Sequence, residues 1–357
     1  MVTLDNEIES LRVSFAFNFP QARGNRNSMK LNTFPYRQVI YVVFFGVLGL
    51  PATSYSQEVG NSESEASVSA SYQIPGSEVF DVRSKQGLDY RIFLSIPDQS
   101  PPPEGFPVLF VLDGNAYFPL AATLSRFQAR GPRSGLVIVG IGYPTDDAFH
   151  MQRRTFDMTT KADPKKLPPS RGGRGWHESG GADQFLEFIK NELRPLVAKK
   201  VAIDGERHAI VGHSFGGLFV MHTLFTHPNS FQTYIAISPS GWWNDYALLQ
   251  EEKVFSRDVD SLEKPVRLLI EVGELELSGK EGPAASLAPT PAMKEFGTTE
   301  DFAKRLSSVK SKSCEVRFKI YDGESHGSVV PRAMIDAIRF SLPPTPPSAA
   351  RARTATN

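Results

Sequence analysis

The chain has 357 residues, enough for one large α/β domain or two smaller ones. Its 39 basic residues balance 39 acidic ones, which argues against a dedicated nucleic-acid binder, and a 40% hydrophobic content excludes global disorder. The single cysteine, Cys314, excludes an intrachain disulfide framework and a multi-cysteine zinc site.

Residues 39–50 form an uncharged apolar run, preceded by Lys30 and Arg37 and followed by small residues at Ser54 and Ser56. This is the pattern of a secretory signal peptide over 29–56, with Met29 as its natural start and residues 1–28 an over-extended, disordered beginning. The run is shorter than the roughly 20 residues of a bilayer span, so no stable membrane span is expected after cleavage; the alternative is an uncleaved N-terminal anchor. Export across the inner membrane to the periplasm follows from the first reading. Removing residues 1–56 deletes five basic and three acidic residues, leaving 34 against 36, a net charge of −2. Residues 57–74 read as a flexible Ser/Glu-rich leader and 343–357 as a disordered Pro-rich tail. A catalytic domain over 75–342, without internal repeats, lies between them.

Within it, Glu78–Val82 and Asp89–Ile96 alternate as a pair of strands around a Lys-Gln-Gly turn. Apolar-rich runs at Pro107–Asp113, Leu136–Ile141, His208–Val211, Thr233–Ser238, Val266–Val272 and Val316–Tyr321 read as strands buried on both faces. Helical periodicity falls between them at Ala182–Val197, Phe215–Thr226, Thr299–Val309 and Arg332–Phe340. The fold class is therefore α/β and doubly wound: a mostly parallel central sheet with helices on both faces and an antiparallel edge at the N-terminal side.

At one strand-to-helix junction the chain reads Gly212-His213-Ser214-Phe215-Gly216. A Gly-x-Ser-x-Gly turn in this context predicts a strained nucleophile at Ser214, with glycines required at 212 and 216 where chain segments approach closely. A serine hydroxyl needs a base. Of the seven histidines only His326 lies beyond residue 227, in a Gly-flanked loop after the last strand, and it is the expected base. His222 and His227 are five apart, a poor metal pair, and read as structural. The acid should follow the penultimate strand, where Glu276 stands three past Gly273, with Glu274 as competitor and Glu271 inside the strand. Serine, acid, histidine is the chain order of α/β-hydrolases. The Phe215 N–H is one expected oxyanion donor. The second is expected from the loop Leu112–Phe118, at Gly114 or Asn115; a plain tight turn is the alternative there.

Val108–Phe118, Gly140–Tyr143, Arg154–Thr159, Gly212–Gly217, Ser238-Pro-Ser-Gly-Trp-Trp243 and Gly273–Glu276 together resemble the esterase D-like family of α/β-hydrolases. Within it they are most similar to periplasmic hydrolases that open the trilactone of ferric catecholate siderophores. The resemblance implies the α/β-hydrolase fold and Ser214 and His326 as the catalytic pair, in some relatives with little help from an acid. It also implies Arg154 facing an anionic substrate and Tyr117, Trp242 and Trp243 lining the site. The family commonly has a bulky residue where Gly241 stands, so the pocket wall before Trp242 is expected to differ.

From Arg153 to Gly181 the chain is Pro/Gly-rich without a periodic pattern and carries Arg153, Arg154, Lys161, Lys165, Lys166, Arg171 and Arg174. This reads as a solvated basic loop or as a mobile lid presenting positive charge to an anionic ester. Residues 277–298 read as a second flexible insertion at the rim. The functional expectation is an exported serine esterase acting on a small-molecule ester, the anionic ferric siderophore being the candidate. The alternatives are a small-acyl or aryl esterase or acyltransferase, and a binding protein that has lost its chemistry. No metal site, cofactor motif or nucleic-acid module is expected.

Overall fold

In a computed structural model, residues 72–128, 135–170, 173, 175–278, 289–309 and 311–342 are described. The expected signal segment, the chain before it, most of the leader, the C-terminal tail, Arg171 and Arg174 lie outside the described residues.

Among the described residues the runs read as strands form eight: β1 (Ser77–Arg83), β2 (Asp89–Ser95), β3 (Phe106–Leu112), β4 (Val137–Gly142), β5 (Ile203–His213), β6 (Thr233–Ile237), β7 (Val266–Gly273) and β8 (Cys314–Tyr321). They join in one sheet in the order β1-β2-β4-β3-β5-β6-β7-β8. β1 and β2 pair antiparallel, β2 joins β4 antiparallel, and every later pairing is parallel. The expected antiparallel edge at the N-terminal side is present.

Among the described residues ten helices flank the sheet: α1 (Gly114–Gln128), α2 (Met151–Met158), α3 (Ala182–Phe188), α4 (Arg194–Lys200), α5 (Phe215–Thr226), α6 (Trp243–Tyr246), α7 (Leu248–Asp258), α8 (Pro291–Phe296), α9 (Thr299–Ser308) and α10 (Val330–Ser341). A π turn over Ile189–Leu193 links α3 to α4, so the stripe read over 182–197 is one continuous but widened helix. Along β3, Val108, Phe110 and Leu112 enter the core shared with α3, α5 and α7, while Leu109 and Val111 enter the core shared with α1 and α10. Period-two side chains thus feed two separate cores, each fully buried aliphatic stabilising by about 1.5–3 kcal/mol.

Four segments differ from the sequence reading. Val316–Tyr321, read as buried on both faces, is the edge strand β8, which among the described residues pairs only with β7 and leaves Glu315, Arg317 and Lys319 exposed. The expected loop after Leu112 is the first turn of α1. The head of the basic loop is α2, whose Arg154, Thr155, Asp157 and Met158 are buried. The rear of the 277–298 insertion is α8, which sends Phe296 into the core. His222 is structural as read: it bridges Glu251 on α7 at 2.9 Å and Asp183 on α3 at 3.2 Å.

After β3 the chain turns to β4 on one side and returns to β5 on the other. The carboxyl ends of β3 and β5 therefore flank a switch point, the place in open α/β sheets where a crevice forms.

Candidate active site

Ser214 sits directly after β5 with φ 60° and ψ −113°, the strained turn expected of it. A methyl group on Gly212 would lie 2.3 Å from the Gly216 carbonyl, so only glycine fits there. At Gly216 itself the nearest atom would be 3.5 Å away, ordinary contact; the second tight position is Gly217, 2.9 Å from Pro239 Cα. The requirement placed on Gly216 thus belongs to Gly217, because the helix packs on β6 one residue later than the motif suggests. The Ser214 N–H donates to Ile237 O at 3.0 Å, fastening the turn to the end of β6.

His326 and Glu276 meet across the ends of β7 and β8, with Nδ1 2.6 Å from Oε2. A carboxylate only accepts, so the proton sits on Nδ1 and the Nε2 lone pair is left free to take a proton. The other oxygen, Oε1, accepts from Ser238 Oγ at 2.7 Å and Gly273 N at 2.9 Å. Burial alone would raise the Glu276 pKa, but the His326 bond and charge and these two donors outweigh it and hold the carboxyl below its ordinary value. Glu274, the competitor, instead accepts from Gly323 N at 2.9 Å and braces the histidine loop. Glu271 is buried in β7 as expected, bonded to Tyr321 Oη at 2.5 Å. Among the described residues the Ser214 hydroxyl bonds Ser240 Oγ, at 3.2 Å, and not His326. Such contacts are commonly loose before substrate arrives.

Two helix starts are the candidates for the oxyanion side. Phe215 opens α5 and Gly114 opens α1, and among the described residues neither the Phe215 nor the Asn115 N–H donates to another protein group. Asn115 is held by its side chain, which donates to Tyr143 O at 2.9 Å and accepts from Tyr143 N at 2.8 Å. A methyl on Gly114 would fall 2.8 Å from Gly140, which lets α1 start hard against β4. Two free N–H groups at helix N-termini can stabilise a developing oxyanion.

Arg154 does not stand where the resemblance sets it. It is 5% exposed, and its Nε and Nη2 fork onto the Asp113 carboxylate at 2.8 and 2.9 Å. Burial alone would lower its pKa, but Asp113 more than offsets this and holds it above its ordinary value. The guanidinium is neutralised inside the fold, and Asp113 (φ 52°) is thereby clamped at the strand end that launches α1. Arg154→Met should cost about 3–5 kcal/mol of stability, because it leaves Asp113 buried and unpaired. Activity on neutral and anionic esters should fall together. A loss confined to anionic esters at unchanged melting temperature would return the guanidinium to the substrate.

Trp243 is 1% exposed, with its indole N–H on Thr160 O at 3.0 Å, so it supports the wall from behind and does not line the site. Trp242 is half-buried and packs on Phe215 at 5.9 Å and on Trp176 at 5.4 Å. Trp176 comes from the Pro/Gly-rich segment, where a singleton tryptophan gave no periodic signal. The space beside Gly241 is taken by the Phe296 ring, 2.4 Å from where a methyl would sit. The bulk of the wall before Trp242 is thus supplied by α8. Tyr117 also turns inward, its hydroxyl 2.9 Å from His213 Nδ1. The site-shaping groups absent from the sequence reading are Asp113, His213, Ser240 and the hydroxyl of Ser238. All four lie within quoted motifs, Val108–Phe118, Gly212–Gly217 and Ser238–Trp243, but without a role read for them.

A mostly parallel sheet carrying a serine elbow, a histidine and a carboxylate at its carboxyl edge is an α/β-hydrolase-like architecture. The family described as "Putative esterase" matches residues 84–317, and the chain belongs to it. It is similar to the ferri-bacillibactin esterase BesA of Bacillus subtilis, 36% identical over 297 residues that cover 82% of this chain and 98% of that protein. It is also similar to the siderophore enterobactin esterase of Emericella nidulans, 34% identical over 252 residues covering 65% of this chain and 80% of that one. Among solved structures it resembles the BES protein of Bacillus cereus, at 31% identity and a TM-score of 0.67 over 77% of this chain and 99% of that one. The chain is an esterase, a hydrolase of carboxylic ester bonds.

Proposed function

We propose that this esterase opens the ester bonds of a siderophore through an acyl-enzyme on Ser214, after export from the cytoplasm. The observation that carries the chemistry is the 2.6 Å bond between His326 and Glu276 beside the strained Ser214 turn. Ser214 Oγ attacks the ester carbonyl and its proton passes to His326 Nε2. The oxyanion is held by the N–H groups of Phe215 and Asn115, while Glu276 stabilises the imidazolium. Collapse expels the alcohol with the proton from His326, and water then releases the acid by the reverse roles. The substrate class rests on the relatives, which are named for siderophore esters. Arg154 lends it no support, being spent on Asp113. Export rests on the short apolar run after Lys30 and Arg37; among the described residues no helix is long and apolar enough to cross a membrane.

The test is a hydrolysis panel comparing a ferric trilactone siderophore with p-nitrophenyl acetate and a feruloyl ester. The siderophore ester should be preferred in kcat/KM by about 10-fold or more. Preference for either simple ester would make this a general esterase. Protein from its native host should begin near residue 57 in the extracytoplasmic fraction; an intact Met1 in the membrane pellet would overturn export.

A further inference from the structure

His213, the residue before the nucleophile, has no assigned part in the chemistry, yet it touches two of the three elements that form the site. Its ring is buried at the end of β5. Nε2 lies 2.6 Å from the main-chain carbonyl of His326, and Nδ1 lies 2.9 Å from the Tyr117 hydroxyl on α1. A carbonyl oxygen can only accept, so Nε2 carries the hydrogen. In a neutral ring Nδ1 is then a lone pair, and Tyr117 must be its donor. Burial and the Asp113 carboxylate push the Tyr117 phenol above its ordinary pKa, which keeps that hydrogen in place. One tautomer satisfies both contacts.

We infer that His213 is a positioning residue for the base, holding the main chain of His326 at the height from which its imidazole serves Ser214. The inference rests on the Ser214–His326 chemistry proposed above. Two features of the loop make such an anchor necessary. A methyl on Gly323 or on Gly327 would meet no atom within 4 Å, so both flanks of the histidine border open space. The His326 ring is held from one side by Glu276, and its carbonyl by His213. The chain before His326 is tied at Gly323 N to Glu274 and at Glu324 O to Leu275 N, but among the described residues the His326 main chain itself is hydrogen-bonded only by His213.

The neutrality of His213 also matters, because its ring centroid lies 4.7 Å from that of His326. During turnover His326 becomes an imidazolium, and a second positive ring at that distance would oppose it. The charged and titratable groups facing His213 are His326, Asp113, Arg154 and Tyr117, and Asp113 and Arg154 cancel as a pair. Burial first, then the charge of His326, hold the His213 pKa down to about 4. The ring therefore stays neutral wherever His326 works as a base.

Two variants separate this role from simple packing. Gln places an amide N–H near the ε position and can still donate to His326 O. Asn places its amide near the δ position and cannot reach that carbonyl. His213→Asn should lower kcat by about 10- to 100-fold, the scale of a misplaced base, and leave KM for a p-nitrophenyl ester within about two-fold. His213→Gln should recover most of the loss. Wild-type kcat in His213→Asn, or equal damage in both variants tracking their melting temperatures, would overturn the role. Nitrogen-15 NMR of the wild-type imidazole gives a test that needs neither variant to fold: the Nε2–H tautomer is expected, and an Nδ1–H tautomer would contradict it. Turnover surviving in Ser214→Ala would sink the proposed chemistry instead, and the tautomer would still report on the hydrogen bonds of His213.

Discussion

Ser214→Ala is expected to lower kcat by about 10⁴- to 10⁶-fold while leaving the fold and melting temperature nearly unchanged. In the proposed mechanism this hydroxyl forms the acyl-enzyme, and among the described residues its hydrogen-bond partner, Ser240 Oγ at 3.2 Å, bonds no base. Ser240 therefore cannot take over the role. Labelling by a fluorophosphonate should disappear with turnover. A variant that still labels at the wild-type rate would place the nucleophile elsewhere.

The second large effect concerns Glu276, and here the more conservative change should do more harm. Oε1 receives two donors, Ser238 Oγ and Gly273 N–H, and the backbone donor cannot reverse. In Glu276→Gln the amide oxygen is drawn to that side, so the NH₂ faces His326 Nδ1. Nδ1 must then accept, which moves the ring proton to Nε2 and removes the lone pair that takes the Ser214 proton. A loss of about 10³- to 10⁴-fold in kcat is expected for Gln. Ala leaves the tautomer free and should cost less, about 10- to 100-fold. Glu274→Gln should be close to wild type, since Glu274 only braces Gly323 N–H at the surface. Steady-state kinetics on the three variants decide the matter. Ala as harmful as Gln would mean that the acid acts by its charge alone.

Elements that bury apolar side chains with a regular period were legible in the sequence: the eight strands, and the helices α3 to α5, α9 and α10. Those that bury charge were not. α2 hides Arg154 and Asp157, and a buried ion pair looks like a solvated charge until its partner, Asp113, is brought in from 41 residues away. α1 begins with glycine and carries Pro119 inside it, which reads as a turn. α8 is only six residues long and contributes one core side chain, too short for periodicity. Ser214, Glu276 and His326 could be ordered by chain position because each ends or follows a strand. The hydroxyl of Ser238, the Ser240 contact and the double bonding of His213 depend on which strand ends are neighbours. Sheet order supplies that, and no local pattern does.

Three strand ends at the site carry non-glycine residues with positive φ: Asp113 at 52°, Ser214 at 60° and Ser238 at 45°. Each costs of order 1–3 kcal/mol of backbone strain. Asp113 fixes the start of α1 through Arg154, and Ser238 fixes Glu276.

The most direct measurement of the central claim is mass spectrometry of the enzyme quenched during turnover of a p-nitrophenyl ester. An acyl group is expected on the peptide containing Ser214, appearing with a burst of p-nitrophenol and accumulating further in Glu276→Ala if deacylation slows more than acylation. Steady hydrolysis with no covalent acyl-enzyme, or with the acyl group on another residue, would contradict the account.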